Sequence, residues 1–187
     1  MAKRVVLASA SPRRKELLKE IVSEFDIIPC TSQEGRPDLP PKKFVSYLAE
    51  FKATEVFKSL VDKKDKVVIG SDTIVVKGGK IIGKPVDEAD AEKILKGLSG
   101  KMHRVYTGVC IKSEDKQKVF YVSTRVKFFK LTDKSIRDYI MTGSPMDKAG
   151  AYGIQDSGFV KKVVGSMSCV VGLPVEKLKK EIKTFLN

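Results

Sequence analysis

The sequence predicts a mixed α/β fold, a twisted mixed sheet with flanking helices, with residues 1–187 forming a single folded unit of one domain or two closely packed lobes. Three observations carry this. Short apolar runs bounded by Gly, Pro, Ser and Asp alternate with amphipathic segments of helical period. Two longer alternating runs, Met102 to Lys112 and Val119 to Phe129, are joined by a short charged turn and therefore pair antiparallel. The 187 residues, 42% of them hydrophobic, can bury a core of ordinary size.

Val5, Val6 and Leu7 form the first strand, and Ser11 and Pro12 open the first helix as N-cap and first helical residue. Arg13 and Arg14 then fall in a turn that the helix macrodipole already makes positive, so an anion is needed to offset them. Free backbone N–H groups, the hydroxyls of Ser9 and Ser11 and two guanidinium groups suit a phosphate. Phe25 to Pro29 reads as a short strand and Thr31 to Pro41 as a polar loop carrying Glu34. From Pro41 to about Leu60 runs a helix whose apolar arc holds Phe44, Val45, Tyr47, Leu48, Phe51 and Val56, and Lys52 falls inside that arc. The lysine can snorkel along its methylenes or reach into a site; position alone leaves both open.

In Lys66 to Val76 the strand Val67, Val68, Ile69 is followed by Gly70, Ser71, Asp72 and Thr73, which place Asp72 in a polar turn before the apolar residues resume at Ile74. Asp is disfavoured in strands and costly to bury, and the glycine before it reads as a bulge or as the close approach of a ligand. Lys77 to Lys80 makes a Gly-Gly hairpin turn, and the returning run brings Lys84 toward Asp72. The plainer reading of that pair is an Asp at a bulge and a surface Lys. Asp87 to Leu98 is a helix with Ala91, Ile94, Leu95 and Leu98 inward; Thr132 caps another, with Ile136, Tyr139 and Ile140 inward and Gly143 as its stop. Pro145 to Gln155 is a glycine-rich loop around Lys148, of the kind that lets backbone approach a ligand. Gly165 to Leu173 reads as a turn and a last strand, and Val175, Leu178, Ile182 and Phe185 as the inner face of a terminal helix.

A formal net charge of +13, from 36 basic and 23 acidic residues, fits nucleic acid, a membrane surface or an anionic substrate. The lysines are scattered with no arginine-rich arm, which disfavours nucleic acid as the partner. His103 is the sole histidine, so a multi-histidine metal site is excluded and a serine triad would have to use it. Cys30, Cys110 and Cys169 are odd in number and far apart, as reduced thiols are. Any metal is then held by carboxylate and phosphate oxygens, the preference of a divalent cation such as magnesium or manganese. No apolar run can span a bilayer and no signal-like segment precedes the first strand, so a cytoplasmic protein without a membrane partner is expected.

Neither GxxxxGK[ST] nor GxGxxG is present. Phosphoanhydride hydrolysis needs cations against developing charge, carboxylates for a metal and a base to orient water. Ser9, Arg13, Lys52, Lys84, Lys148, Glu34, Asp72 and Gln155 supply each role.

These residues stand in blocks, and with them the chain resembles the Maf family of nucleoside triphosphate pyrophosphatases over essentially its whole length. The blocks are LASASPRRKELL (Leu7 to Leu18), LAEFKA (Leu48 to Ala53), VVIGSDTIV (Val67 to Val75), GKP (Gly83 to Pro85), LSGKMHRVYTGV (Leu98 to Val109), PMDKAGAYGIQ (Pro145 to Gln155) and VVGLP (Val170 to Pro174). The resemblance implies a fold like the inosine triphosphatases, with a cleft between two lobes. It also implies a divalent metal, a homodimer, and cleavage of a nucleoside triphosphate between its α- and β-phosphates. By position, Asp72 matches the family's general base and Glu34 an acidic residue that binds the metal with it. Ser9, Arg13, Lys52 and Lys84 match positions that hold the triphosphate. Arg13, Thr73 and Gln155 match the branch that prefers dTTP and UTP over 7-methyl-GTP, while Arg14 is left without a role, as a surface cation. The chain departs from the family pattern at Asp156 and Cys169, the first of which adds negative charge beside the base pocket.

Two other readings compete. A pyrophosphatase for inosine, xanthosine or 7-methylguanosine triphosphate would share the strand, turn and basic helix, but Thr73 and Gln155 fit the donor and acceptor edge of uracil or thymine better. A nucleic-acid-binding or regulatory protein of cell division would use the charge without turnover. Glu34 and Asp72 would then repel phosphate unless a cation intervened.

Overall fold

The computed structural model describes residues 3–35 and 37–186. Its strands are β1 (Arg4–Leu7), β2 (Phe25–Ile27), β3 (Lys66–Lys77), β4 (Lys80–Ile82), β5 (Met102–Lys112), β6 (Gln117–Phe128) and β7 (Val160–Val164). The helices are α1 (Pro12–Lys19), α2 (Pro41–Ser59), α3 (Glu88–Leu98), α4 (Asp133–Met141), α5 (Met167–Val171), α6 (Val175–Glu181) and α7 (Lys183–Leu186). They build one seven-stranded sheet in the order β2-β1-β3-β5-β6-β7, with β4 added to β3. β1 runs parallel to β2 and β3, and the remaining pairs are antiparallel.

The long strand β3 organises the molecule. β5 covers one of its edges from Val68 to Val76. The other edge is shared: β1 pairs with Lys66 to Ile69, β4 with Val75 to Lys77. Gly70 to Ile74 lie between them on an open edge. A strand whose backbone is half unpaired at its middle is a natural floor for a cleft.

Side chains alternate across β3. On one face, Val5, Leu7, Val67, Ile69, Val109 and Ile111 pack under α1, α6 and α7 as one core, and Val75, Val105, Val126 and Phe128 pack under α3 and α4 as a second. Between these lobes the sheet turns polar at Ser71, Thr73 and Thr107, and α5 lies over that seam: Ser71 Oγ donates to Gly172 O and Thr107 Oγ1 to Cys169 O. The opposite face belongs to α2. Cβ atoms built on Gly70 and Gly108 would fall 2.3 Å from the carbonyl oxygens of Ala49 and Val45 respectively, so the helix backbone rests directly on the strands.

This close seating rotates α2 from the expected arc. Ala49, Ala53 and Phe57 are buried with Val45, Leu48 and Val56, while Phe44, Tyr47 and Phe51 are only half-buried. Gly70 therefore makes no bulge; the register with β5 is unbroken, and what approaches it is a helix of the chain itself. Two further elements differ from expectation. Gly165 to Leu173 carries helix α5, begun by Ser166 accepting from Cys169 N, and the last strand is the earlier Val160–Val164. The terminal helix breaks at Ile182 into α6 and α7 while keeping the expected inner face. No helix among the described residues is long and apolar enough to cross a membrane.

Candidate active site

A cavity of about 600 Å³ opens over the free edge of β3. Its wall takes Ser11, Arg13 and Arg14 from the start of α1, Lys52 from α2, Asp72 and Thr73 from β3, Lys84 from beyond β4, and Asp147 to Ala149 and Tyr152 to Asp156 from the loop after α4. Seven of the sequence-predicted residues thus converge: Arg13, Lys52, Asp72, Thr73, Lys84, Lys148 and Gln155.

The centre is an ion cluster. The Lys52 ammonium contacts the Asp72 carboxylate and lies 3.0 Å from Glu34 Oε1; the Lys52 and Asp72 side chains are each 15% exposed. Lys52 reaches into the site and does not snorkel out, because it sits on the sheet-facing side of α2 one turn after Leu48 and opposite Asp72. Asp72 lies within the strand and not in a turn, and Lys84, exposed at the rim, forms no ion pair with it among the described residues. Two carboxylates share one ammonium, so carboxylate oxygens are left over in a place only partly open to water. That donor set fits a hard divalent cation. No group of three or more His, Cys, Asp or Glu side chains with metal-ligating geometry exists among the described residues, so Glu34 and Asp72 would share such an ion with phosphate and water oxygens, as magnesium sites commonly do.

Above this cluster, Arg13 is half-buried on the cavity wall. Arg14, expected at the surface, is half-buried and held: Nε donates to Gly172 O at 3.0 Å, Nη1 to Ser9 Oγ at 3.2 Å and Nη2 to Thr73 Oγ1 at 3.3 Å. Burial pulls its guanidinium below the ordinary arginine value, with Asp72 working in the opposite sense. The sequence signal for it was the second cation in a first helical turn, where the next strand over supplies hydroxyls. Ser9 is buried behind Arg14, where its hydroxyl also accepts from Ser11 N at 3.3 Å, and the cavity wall does not include it.

The loop after α4 is tied together internally. Lys148 Nζ donates to Ser144 O at 2.6 Å and Asp147 Oδ1 at 2.7 Å, and that bond, with the nearby Arg13 charge, holds the Asp147 carboxyl below its usual value. Asp156 accepts from Tyr139 Oη at 2.9 Å and from Ser144. Burial opposes its ionisation, but these hydrogen bonds and Lys148 outweigh it and keep the carboxyl low. The extra charge after Gln155 is thereby engaged by the loop, and Gln155 itself is exposed at the rim. His103 is a core residue: Nε2 lies 2.8 Å from Tyr152 Oη, and burial lowers its pKa to about 4. Cys169 is buried on the inner side of α5 with its thiol pushed up by burial, and all three cysteines are free.

The architecture is shared with a solved structure. The Staphylococcus aureus Ham1 protein superposes with a TM-score of 0.56 over 98% of this chain and 100% of its own at 15% identity, which speaks to fold alone. Sequence narrows it. The model of the family described as Maf-like protein matches residues 4–185, and the chain belongs to this family. A dTTP/UTP pyrophosphatase of Thermococcus kodakarensis is 48% identical over 92% of each chain. Proteins of the same name are 46% identical in Clostridium botulinum, over 94% of both chains, and 45% identical in Bacillus velezensis, over 99% of this chain and 98% of that one.

Proposed function

We propose that this protein is a nucleoside triphosphate pyrophosphatase that hydrolyses dTTP and UTP to the monophosphate and pyrophosphate. The observation that carries the reading is the placement of Asp72 on the open edge of β3, held by Lys52 beside Glu34 and facing a cavity walled by Arg13 and Lys84. Lys52 occupies Asp72 Oδ1, which leaves Oδ2 to take the proton of a water attacking the α-phosphorus. Attack forms the new P–O bond, the bond to the bridging oxygen breaks, and pyrophosphate leaves. Arg13 and Lys84 neutralise the charge that builds on the leaving group. A magnesium or manganese ion held by Glu34 and Asp72 would supply charge neutralisation at the phosphates. Thr73 and Gln155 meet the base, an assignment supported by their places on the wall and rim of one cavity and by the names of the relatives.

The test is a panel of UTP, dTTP, CTP, ITP and 7-methyl-GTP with magnesium and with manganese, read as pyrophosphate against orthophosphate released. UTP and dTTP should lead and give pyrophosphate; ITP hydrolysed far faster than UTP would refute the specificity.

A further inference from the structure

A row of hydroxyls crosses the polar seam under the cavity, and counting protons gives the row a direction. Thr107 on β5 is buried and donates to the carbonyl oxygen of Cys169 at 2.7 Å. A hydroxyl has one proton, so with that proton on Cys169 the Thr107 oxygen only accepts. Its neighbour at 2.9 Å is the hydroxyl of Thr73, directly opposite in the β3–β5 register, and Thr73 is therefore the donor of that bond. The Thr73 oxygen in turn takes a hydrogen bond from Arg14 Nη2 at 3.3 Å. A guanidinium donates only, and this one is pinned by Gly172 O and Ser9 Oγ, so with the Thr107 proton on Cys169 the row reads Arg14, Thr73, Thr107, Cys169 C=O. Turning the Thr107 proton toward Thr73 would strip the Cys169 carbonyl of the shortest bond in the row.

The consequence falls on Thr73, which lines the cavity. Its proton is committed inward and one of its two lone pairs is taken by Arg14. Toward a ligand it is an acceptor only.

We propose that Thr107, with Arg14, is a positioning residue for specificity: it polarises Thr73 so that the cavity accepts a base presenting a ring N–H and rejects one presenting a ring acceptor at that place. Uracil and thymine carry N3–H; cytosine carries a lone pair at N3, which would face the Thr73 lone pair. The inference rests on the reading of the cavity as a pyrimidine nucleotide site, and adds why Thr73 discriminates within the pyrimidines.

The experiment compares kcat/KM for UTP, CTP and N3-methyl-UTP in the wild type, Thr107→Val and Thr107→Ser, with melting temperatures alongside. Wild type should favour UTP over both others by roughly 10- to 100-fold, the range of one hydrogen bond lost plus one repulsion. Thr107→Val removes the acceptor that holds the Thr73 proton, so Thr73 can turn it outward and the UTP to CTP ratio should fall to within about 3-fold, through the KM for CTP. Thr107→Ser keeps the hydroxyl and should restore the wild-type ratio, which a merely structural role of Thr107 would not require. A folded Thr107→Val with an unchanged ratio overturns the proposal. Should that variant not fold, the wild type still decides, because equal turnover of UTP, CTP and N3-methyl-UTP overturns it as well. Absence of turnover with every nucleotide would instead strike the underlying reading of the site and take this inference with it.

Discussion

Replacing Gly70 by alanine adds one methyl group and should disable the site without touching any residue that lines it. The Cβ would sit 2.3 Å from Ala49 O, 2.6 Å from Ala53 N and 2.9 Å from Ala53 Cβ, where ordinary contact begins at 3.4 Å. Two of the three obstacles are helix backbone, so no side chain can swing away; α2 has to lift by about 1 Å or β3 has to bend. Overpacking of this kind costs about 3 kcal/mol, the upper end for a small-to-large change. For a chain of this length that is a fall in Tm of about 6–12 °C. Lys52 lies between the two residues that clash, so lifting α2 draws its ammonium from Asp72 and Glu34, and a displacement of about 1 Å in a catalytic array costs about 100-fold in rate. Gly97→Ala is the control: it lies in α3 with nothing within 4 Å of its added Cβ, and should stabilise by about 0.5–1 kcal/mol. The assay is a thermal melt and UTP turnover for both variants. Gly70→Ala with wild-type melting and wild-type kcat would refute the argument that the glycine contact sets the position of Lys52.

Arg13→Ala should raise KM for the triphosphate by roughly 10- to 100-fold, the loss of charged hydrogen bonds to phosphate. Since Arg13 makes no side-chain hydrogen bond among the described residues, stability should stay within about 0.5 kcal/mol of wild type, checked by urea unfolding. The buried His103 predicts an acid weakness. Its folded pKa of about 4 lies below the ordinary histidine value of 6.5, so as pH falls through that window the unfolded chain takes up a proton the folded chain refuses. Stability should drop by about 2 kcal/mol between about pH 7 and about pH 5, and His103→Gln should lose most of that slope in denaturation measured at both values.

Most of the scaffold could be read from local rules. Ser11–Pro12, Thr132 and the Gly78–Gly79 turn mark their boundaries because caps and tight turns depend on neighbours in sequence. What escaped depends on neighbours in space. The face α2 buries is set by the glycines Gly70 and Gly108, which let Ala49 and Ala53 replace the aromatic residues as its inner surface. β7 is a short edge strand with Lys161 and Lys162 exposed, and its pattern is too weak to stand out. α5 is five residues, Met167 to Val171, four of them β-branched or small, held helical by the Ser166 cap and by bonds to the seam beneath it. Of the site, the charged residues were legible because Asp in a strand and Lys in an apolar arc break the rules of their elements. Arg14 stood out as a second cation in a first helical turn, but its bonding was not legible, since its three partners come from Ser9, Thr73 and Gly172, which no spacing connects.

The measurement that bears most directly on the account is turnover of UTP by wild type and by Asp72→Asn under saturating nucleotide with magnesium, with the product scored as pyrophosphate or orthophosphate. Wild type should release one pyrophosphate for each UMP. Asp72→Asn should fold, bind UTP and turn it over roughly 100-fold more slowly or worse, as loss of a general base requires. Orthophosphate from the wild type would contradict the assigned bond cleavage, and an Asp72→Asn enzyme of undiminished kcat would contradict the assigned base.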